Sequence, residues 1–223
     1  MSEHHTAKIS DDLGLFIPVK PIDAPLDVNE KFIRSSPYYE QDHLLDLDKL
    51  EVGYKALALA LQSFEARSEK DYAFAAYKEA FNIESIILRA REYAAALGAE
   101  EFPEIKVYII AFRSILHLEV QESAEKRKKL AEIDKDSHAE ANLSGGLLKY
   151  WFGTPDDVHA KNLATCWWRN GKDAKAGGGG PAHRQGMRLV KGWFKHWQVE
   201  EYELLITKDE HNFGPLKKIL EKK

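Results

Sequence analysis

The chain has 223 residues, a hydrophobic fraction of 44%, a charged fraction of 30% and a formal net charge of −4, the profile of an ordinary globular protein with one sizeable domain. A pI of about 6.2 gives no global attraction to nucleic acid or to an anionic membrane, and no apolar run reaches the roughly 18 residues of a membrane span. Cys166 is the single cysteine and the N-terminus lacks a charged-then-apolar leader, so a cytoplasmic protein without disulfides is expected.

Residues 1–45 carry Pro18, Pro21, Pro25 and Pro37 among scattered apolar residues such as Phe16, Ile17, Leu26 and Phe32. Proline at this density prevents regular helix and favours extended chain. An arm lying across the domain surface is expected, of the kind that also makes dimer contacts. A single α+β domain should occupy 46–208, with its core at 106–208, and 209–223 should be a short basic helix or a loose tail.

Tyr54 to Phe64 reads two ways. Leu57, Leu59 and Leu61 alternate as in a strand, whereas the alanine and leucine content favours helix; strand is the preferred reading. Tyr72 to Phe81 is aromatic and irregular and should pack over something. Asn82 can cap a helix that runs to Gly98, with Ile83, Ile86, Ile87, Ala90, Tyr93, Ala94 and Leu97 at helical spacing.

From Lys106 the pattern sharpens. Val107–Leu116 is a strand, and Ser123–Leu143 is a helix capped by Ser123 and stopped by Gly145 and Gly146. Leu147–Phe152 and Asn162–Arg169 form a hairpin around Thr154-Pro155-Asp156-Asp157. Pro181–Trp197 is an amphipathic helix and Val199–Thr207 a closing strand. This order is that of a ferredoxin-like βαββαβ sandwich, an α+β fold, preceded by an additional strand-helix unit.

Parity sorts the strand residues into two faces. One collects Tyr108, Ile110, Phe112, Leu148, Tyr150, Phe152, Ala164, Cys166, Trp168, Tyr202, Leu204 and Ile206, and should lie under the helices. The other mixes charges with Trp151 and Trp167. Two tryptophans hardly belong in solvent, so another subunit or the N-terminal arm should cover that face; a homodimer built sheet to sheet is expected.

The candidate chemistry lies on the two helices. Asp134 and His138 are four residues apart on one helix, so the carboxylate can hold the imidazole as a general base; the alternative is a surface ion pair. His183 shares a helix face with Met187, Val190 and Phe194. It either lines a pocket or is a satisfied core residue. Two histidines above an aromatic floor of Tyr108, Tyr150, Cys166 and Trp168 outline a cavity, with Arg184 and Met187 beside it. Gly177 to Gly180 leads into a helix start that would suit a phosphate or acyl carrier, or is an ordinary linker. No metal-ligand spacing is present. Cys166, on a packed strand, is not expected to act as a nucleophile.

The run from Asp134 through Asp-Lys-Asp-Ser-His-Ala-Glu-Ala-Asn-Leu-Ser-Gly-Gly-Leu-Leu-Lys-Tyr-Trp-Phe, with Asn162-Leu163-Ala164-Thr165-Cys166-Trp167-Trp168-Arg169 and Pro181-Ala182-His183-Arg184, resembles a fungal family of small proteins of uncharacterised function. The resemblance covers about 50–208 and brings no activity with it. Its element order is similar to that of the dimeric α/β-barrel superfamily, which includes cofactor-free monooxygenases, haem-dependent enzymes, isomerases and lyases acting on small, often aromatic molecules. The unit before residue 100 departs from that pattern. The resemblance implies a homodimeric enzyme, such as a monooxygenase, isomerase or cyclase/lyase, acting on a hydrophobic, aromatic or polyketide-like metabolite of secondary metabolism. No cofactor is required by this reading, and haem is left open. The rival expectations are a non-catalytic small-ligand-binding or scaffolding protein and an acyl-CoA-dependent transferase using the glycine run.

Overall fold

The computed structural model describes residues 26–68, 71–216 and 220–222; Phe16, Ile17, Pro18, Pro21 and Pro25 of the expected arm lie outside them. In chain order the elements are β1 (Phe32–Arg34), β2 (Leu44–Asp46), α1 (Val52–Ala60), α2 (Tyr77–Ala80), α3 (Ile83–Ala96), β3 (Ile105–Leu116), α4 (Leu118–Glu122), α5 (Ala124–Ser144), β4 (Leu147–Phe152), β5 (Lys161–Trp168), α6 (Gly171–Gly177), α7 (Pro181–Trp193), β6 (Phe194–Ile206), β7 (His211–Pro215) and β8 (Leu220–Lys222).

β3, α5, β4, β5, α7 and β6 form the βαββαβ unit, and its strands lie antiparallel in the order β4-β5-β3-β6. This is the ferredoxin-like arrangement that the sequence pattern implies. α5 starts where the Ser123 hydroxyl accepts the Lys126 amide at 3.2 Å. It stops at Gly145 and Gly146, whose φ values of 83° and 84° favour glycine.

The N-terminal unit differs in kind from the expectation. Residues 52–60 are helix, not strand. Alternation of Leu57, Leu59 and Leu61 carried no information, because Ala56, Ala58 and Ala60 between them are buried just as fully. A helix enclosed on all sides has no polar face to betray its period, so intrinsic propensity decides. Asn82 precedes α3 without capping it through its side chain; it instead ties the Glu65 amide to the Ser63 carbonyl.

Trp151 and Trp167 are covered by this unit. Phe64, Tyr72, Phe81 and the two indoles make edge and stacked contacts with ring centroids 4.6 to 5.4 Å apart. The Tyr77 hydroxyl meets Thr165 Oγ1 at 2.7 Å and accepts Trp167 Nε1–H at 3.0 Å. Arg113 donates to Glu200 Oε1 at 2.7 Å and to the Ala73 and Ala75 carbonyls at 2.7 and 2.8 Å, pinning the segment before α2 to the sheet. The aromatic stretch from Tyr72 thus packs over the sheet, as expected. The sheet-to-sheet homodimer is corrected by the same observation: its face is occupied by residues 52–68 and 71–96 of the same chain, and a partner would have to displace that core.

Two further corrections concern register. β6 begins at Phe194, and its pairing sets Leu204 opposite Val107 and Tyr202 opposite Ile109, so Tyr202, Leu204 and Ile206 lie on the α1 side, opposite to expectation. Parity within one strand cannot reveal its offset from the next. Leu148 joins them because the β4–β5 ladder shifts between Leu147 and Lys149. The tail is neither helix nor loose end: β7 and β8 add antiparallel to β6. From residue 26 the arm is built into the structure, with Ile33, Tyr38, His43, Leu45 and Leu47 buried. No helix among the described residues is long and apolar enough to cross a membrane.

Lys149 on β4 is 6% exposed, and burial, aided by the Arg34 charge, pulls its amine down to about 8. The unfolded amine keeps its proton to about pH 10.4. Folding therefore carries a penalty at neutral pH that fades as pH rises from about 8 to about 10.4. Lys149→Met is expected to stabilise the protein at pH 7 by on the order of 3 kcal/mol, with the gain shrinking towards pH 10, as measured by urea unfolding of both proteins across this range.

Candidate functional site

α5 and α7 cross the other face of the sheet without filling the space beneath them, leaving a chamber of about 470 Å³. Small side chains create it: Ser114, Ala164 and Cys166 on the floor, Ser137 and Ala141 on α5, and Gly186 on α7. A Cβ at Gly186 would meet only Ile133, at 3.5 Å. Phe112, Phe152, Trp168, Val190 and Trp197 make the walls apolar. Helical phase selects the rest, with Leu130, Asp134, Ser137, His138 and Ala141 from α5 and His183, Gly186, Met187 and Val190 from α7.

Of the residues singled out from the sequence, Asp134, His138, His183, Tyr150, Cys166, Trp168 and Met187 line this chamber. Tyr108 and Arg184 do not. Tyr108 lies nearer the start of β3, where α6 covers the sheet, and packs with Trp168 and Ala174 against Gly171. Arg184 is turned about 100° from His183 on the helix and donates to the Gly179 carbonyl at the surface.

The expected Asp134–His138 pair is not formed. Asp134 accepts the Tyr38 hydroxyl on Oδ2 at 2.5 Å and the Tyr150 hydroxyl on Oδ1 at 2.6 Å. Burial raises its carboxyl above the ordinary range, the two hydroxyls and the His183 charge opposing. His138 is paired instead with His43, Nδ1 to Nδ1 at 2.7 Å. Burial, with the charges of His43 and His183, pushes His138 down to about 3, and burial also lowers His43 against Asp42 and Glu40. Both rings are neutral at physiological pH.

The imidazole held by a carboxylate is His183, whose Nδ1 lies 3.3 Å from Glu140 Oε2. The same carboxylate accepts the Ala182 and His183 amides at 2.7 and 3.2 Å. Burial alone would raise Glu140, but these amides and the His183 ring hold it below its usual value. The amides are those the glycine run was expected to offer to a phosphate, and the protein's own carboxylate occupies them. Any Cβ at Gly180 would collide with it.

Three nitrogens of chamber-lining residues are buried behind the wall without a hydrogen-bond partner among the described residues: His138 Nε2, Trp168 Nε1 and Trp197 Nε1. Buried polar atoms are rarely left so without a purpose. Burial raises the Cys166 thiol, with the Asp134 charge adding to it, so it stays protonated and inert. Among the described residues no group of three His, Cys, Asp or Glu is placed to hold a metal. Sequence reasoning missed Tyr38, His43, Glu140 and Trp197. The first two reach α5 from about 95 residues away, and no short-range spacing marks them. Glu140 lies on the same helix as the chosen pair but meets its partner across the gap to α7.

Comparison with known proteins finds a family model described as PB2B2.08-like that matches residues 34–215. The UPF0643 protein PB2B2.08 of Schizosaccharomyces pombe is 52% identical over 205 residues, covering 92% of this chain and 93% of that protein. Among solved structures, a Nitrosomonas europaea protein whose name assigns it to the antibiotic biosynthesis monooxygenases is similar over 45% of this chain and 88% of its own, at 12% identity and a TM-score of 0.34. That likeness adds nothing to the topology read from the strands themselves.

An unfolded imidazole takes up a proton near pH 6.5, whereas the buried pair refuses it. Each ring therefore removes stability as pH falls below about 6.5, and His138 does so down to about 3. In His138→Leu the dependence of unfolding free energy on pH between 4.5 and 6.5 should be shallower by up to one proton, about 1.4 kcal/mol per pH unit, as read from denaturant titrations in that window.

Proposed function

The chain belongs to the PB2B2.08-like family, and from the chemistry of its chamber we propose that it is a small-molecule enzyme that moves protons on a neutral, hydrophobic carbonyl or hydroxyl compound. The observation that carries this reading is His183, which stands at the chamber wall with Nδ1 3.3 Å from Glu140 Oε2. A carboxylate at Nδ1–H fixes the tautomer that leaves the Nε2 lone pair for a guest, and it stabilises the imidazolium once a proton is taken.

The walls suit an aromatic or polyketide-like skeleton. With this base at an apolar wall, the bond it would break is a C–H beside a carbonyl of the guest. Isomerisation or cyclisation through an enolate is the reaction class that this base serves. His183 takes the role first assigned to His138, because Glu140 supports His183 while Asp134 is committed to two tyrosines. The filled amides at the start of α7 disfavour the acyl-CoA transferase. A non-catalytic carrier of the same guest is the second reading, favoured by the complete hydrogen bonding of Asp134.

2-Tetralone, a neutral aromatic ketone with exchangeable α-protons, tests both. The protein should bind it, with quenching of tryptophan fluorescence, and should accelerate exchange of its α-protons with deuterium oxide, followed by NMR. His183→Gln should lose at least about tenfold of that acceleration, the lower end of what a general base supplies, while keeping affinity. Gly186→Leu, which fills the chamber, should lose binding as well. Binding without acceleration would favour the carrier, and no binding would sink both readings.

A further inference from the structure

We propose that Arg34 on β1 and Lys149 on β4 form a binding site for a small oxyanion of the phosphate type, set where the N-terminal segment meets the outer strand of the sheet. The site stands apart from the chamber and does not depend on the reaction proposed there. Backbone pairing brings the two cations together. The Ser35 carbonyl accepts the Tyr150 amide at 2.7 Å, and Arg34 and Lys149 each sit one residue before an end of that bond. Tyr150 turns to Asp134 on the α5 side. Alternation along β4 sends Lys149 to the opposite face, which it shares with Trp151. Arg34 Nη2 donates to the Pro37 carbonyl at 3.0 Å, which steadies the guanidinium.

Neither cation has a counter-ion. Lys149 is 6% exposed, and the charge that acts on it is that of Arg34, another cation. No carboxylate among the described residues offsets either one. Buried ammonium groups are ordinarily paired, because a lone charge loses its hydration and gains nothing in return. Burial and the like charge pull the Lys149 amine down to about 8, so it still carries its proton at neutral pH and the junction holds two positive charges. The surroundings give no reason for a lysine: Leu148 and Trp151 beside it pack into the apolar core.

An anion between the two cations removes that penalty. Arg34 Nε and the Ser35 hydroxyl are partnerless but sealed, and touch no ligand. Lys149 Nζ and Arg34 Nη1 are not among the sealed atoms, so their free hydrogens are open to an anion from solvent. Two positive charges match the two negative charges of hydrogen phosphate. Its tetrahedral oxygens accept from an ammonium and a guanidinium at once, in charge-assisted hydrogen bonds stronger than neutral ones. Free phosphate and the terminal phosphoryl group of a larger molecule present the same oxygens. Bound there, the anion ties β1 to β4 beside the Ser35–Tyr150 hydrogen bond. The segment it secures is the one that carries Tyr38 to Asp134.

The test uses the full chain at pH 7, with sodium chloride holding the ionic strength constant as inorganic phosphate is added. The thermal unfolding midpoint should rise saturably, by about 3 to 6 °C at ten times the dissociation constant. Lys149→Met should start from the higher midpoint and show no saturable rise, so the gap between the two proteins closes as phosphate is added. Arg34→Gln should bind phosphate at least tenfold more weakly. Equal saturable rises in the unaltered protein and in Lys149→Met would place the anion elsewhere and overturn the site. A midpoint of the unaltered protein that phosphate does not move overturns it too. Phenyl phosphate separates the two sources: a rise matching that of inorganic phosphate supports the site as one for a phosphoryl group on a larger molecule, and a rise with inorganic phosphate alone supports it as one for the free anion.

Discussion

A half-buried carboxylate holds the α5 side of this molecule together. Asp134 has a tyrosine hydroxyl on each oxygen, one from the N-terminal segment and one from β4. Removing an ionised carboxylate from water costs several kcal/mol unless hydrogen bonds replace the lost hydration. The three chain segments that supply the group and its partners therefore cannot separate without exposing that cost. α5 is fixed at both the sheet and the 36–44 segment, and the space beneath it is held open by polar contacts on its flank instead of being closed by apolar collapse.

The two faces of the sheet solve opposite problems. On the α1 side, large rings and the Arg113–Glu200 pair fill the volume, and almost every polar atom there has a partner close by. On the α5 side, alanine, serine, cysteine and glycine occupy positions where the opposite face has leucine and tryptophan, and several nitrogens are left over. Close packing is the default state of an interior. The α5 side departs from it, and that departure is what the proposed function draws on.

How far the sequence disclosed this follows from the range of each signal. β3, the hairpin and α7 were legible from β-branched or strongly amphipathic patterns, and α5 from its Ser123 cap and glycine stop, all of which are local signals. α1 was not, since burial on all sides erases the periodicity. The face assignment of Tyr202, Leu204 and Ile206 failed because strand offset is a property of pairing and not of one strand. The site was half legible: helical phase brought His138 and His183 to one chamber, whereas the proximity of Asp134 to His138 in sequence suggested a pair that longer-range partners prevent. Tyr38 and His43 lie in a stretch read as a surface arm, and only the tertiary contacts reveal that this segment packs behind α5.

Two strand flanks of the sheet, the outer sides of β4 and β6, are covered in part. The Ser35 carbonyl accepts the Tyr150 amide at 2.7 Å along β4, while β7 and β8 divide the outer rim of β6 between them, with the Leu216 amide bonded to the Glu201 carbonyl at 2.9 Å in the interval. Strands this rich in tryptophan, tyrosine and isoleucine would otherwise be templates for lateral recruitment of further chains. The segments that pack into the core thus also act as bumpers, and loss of β7 and β8 would be felt as fibrillation or precipitation.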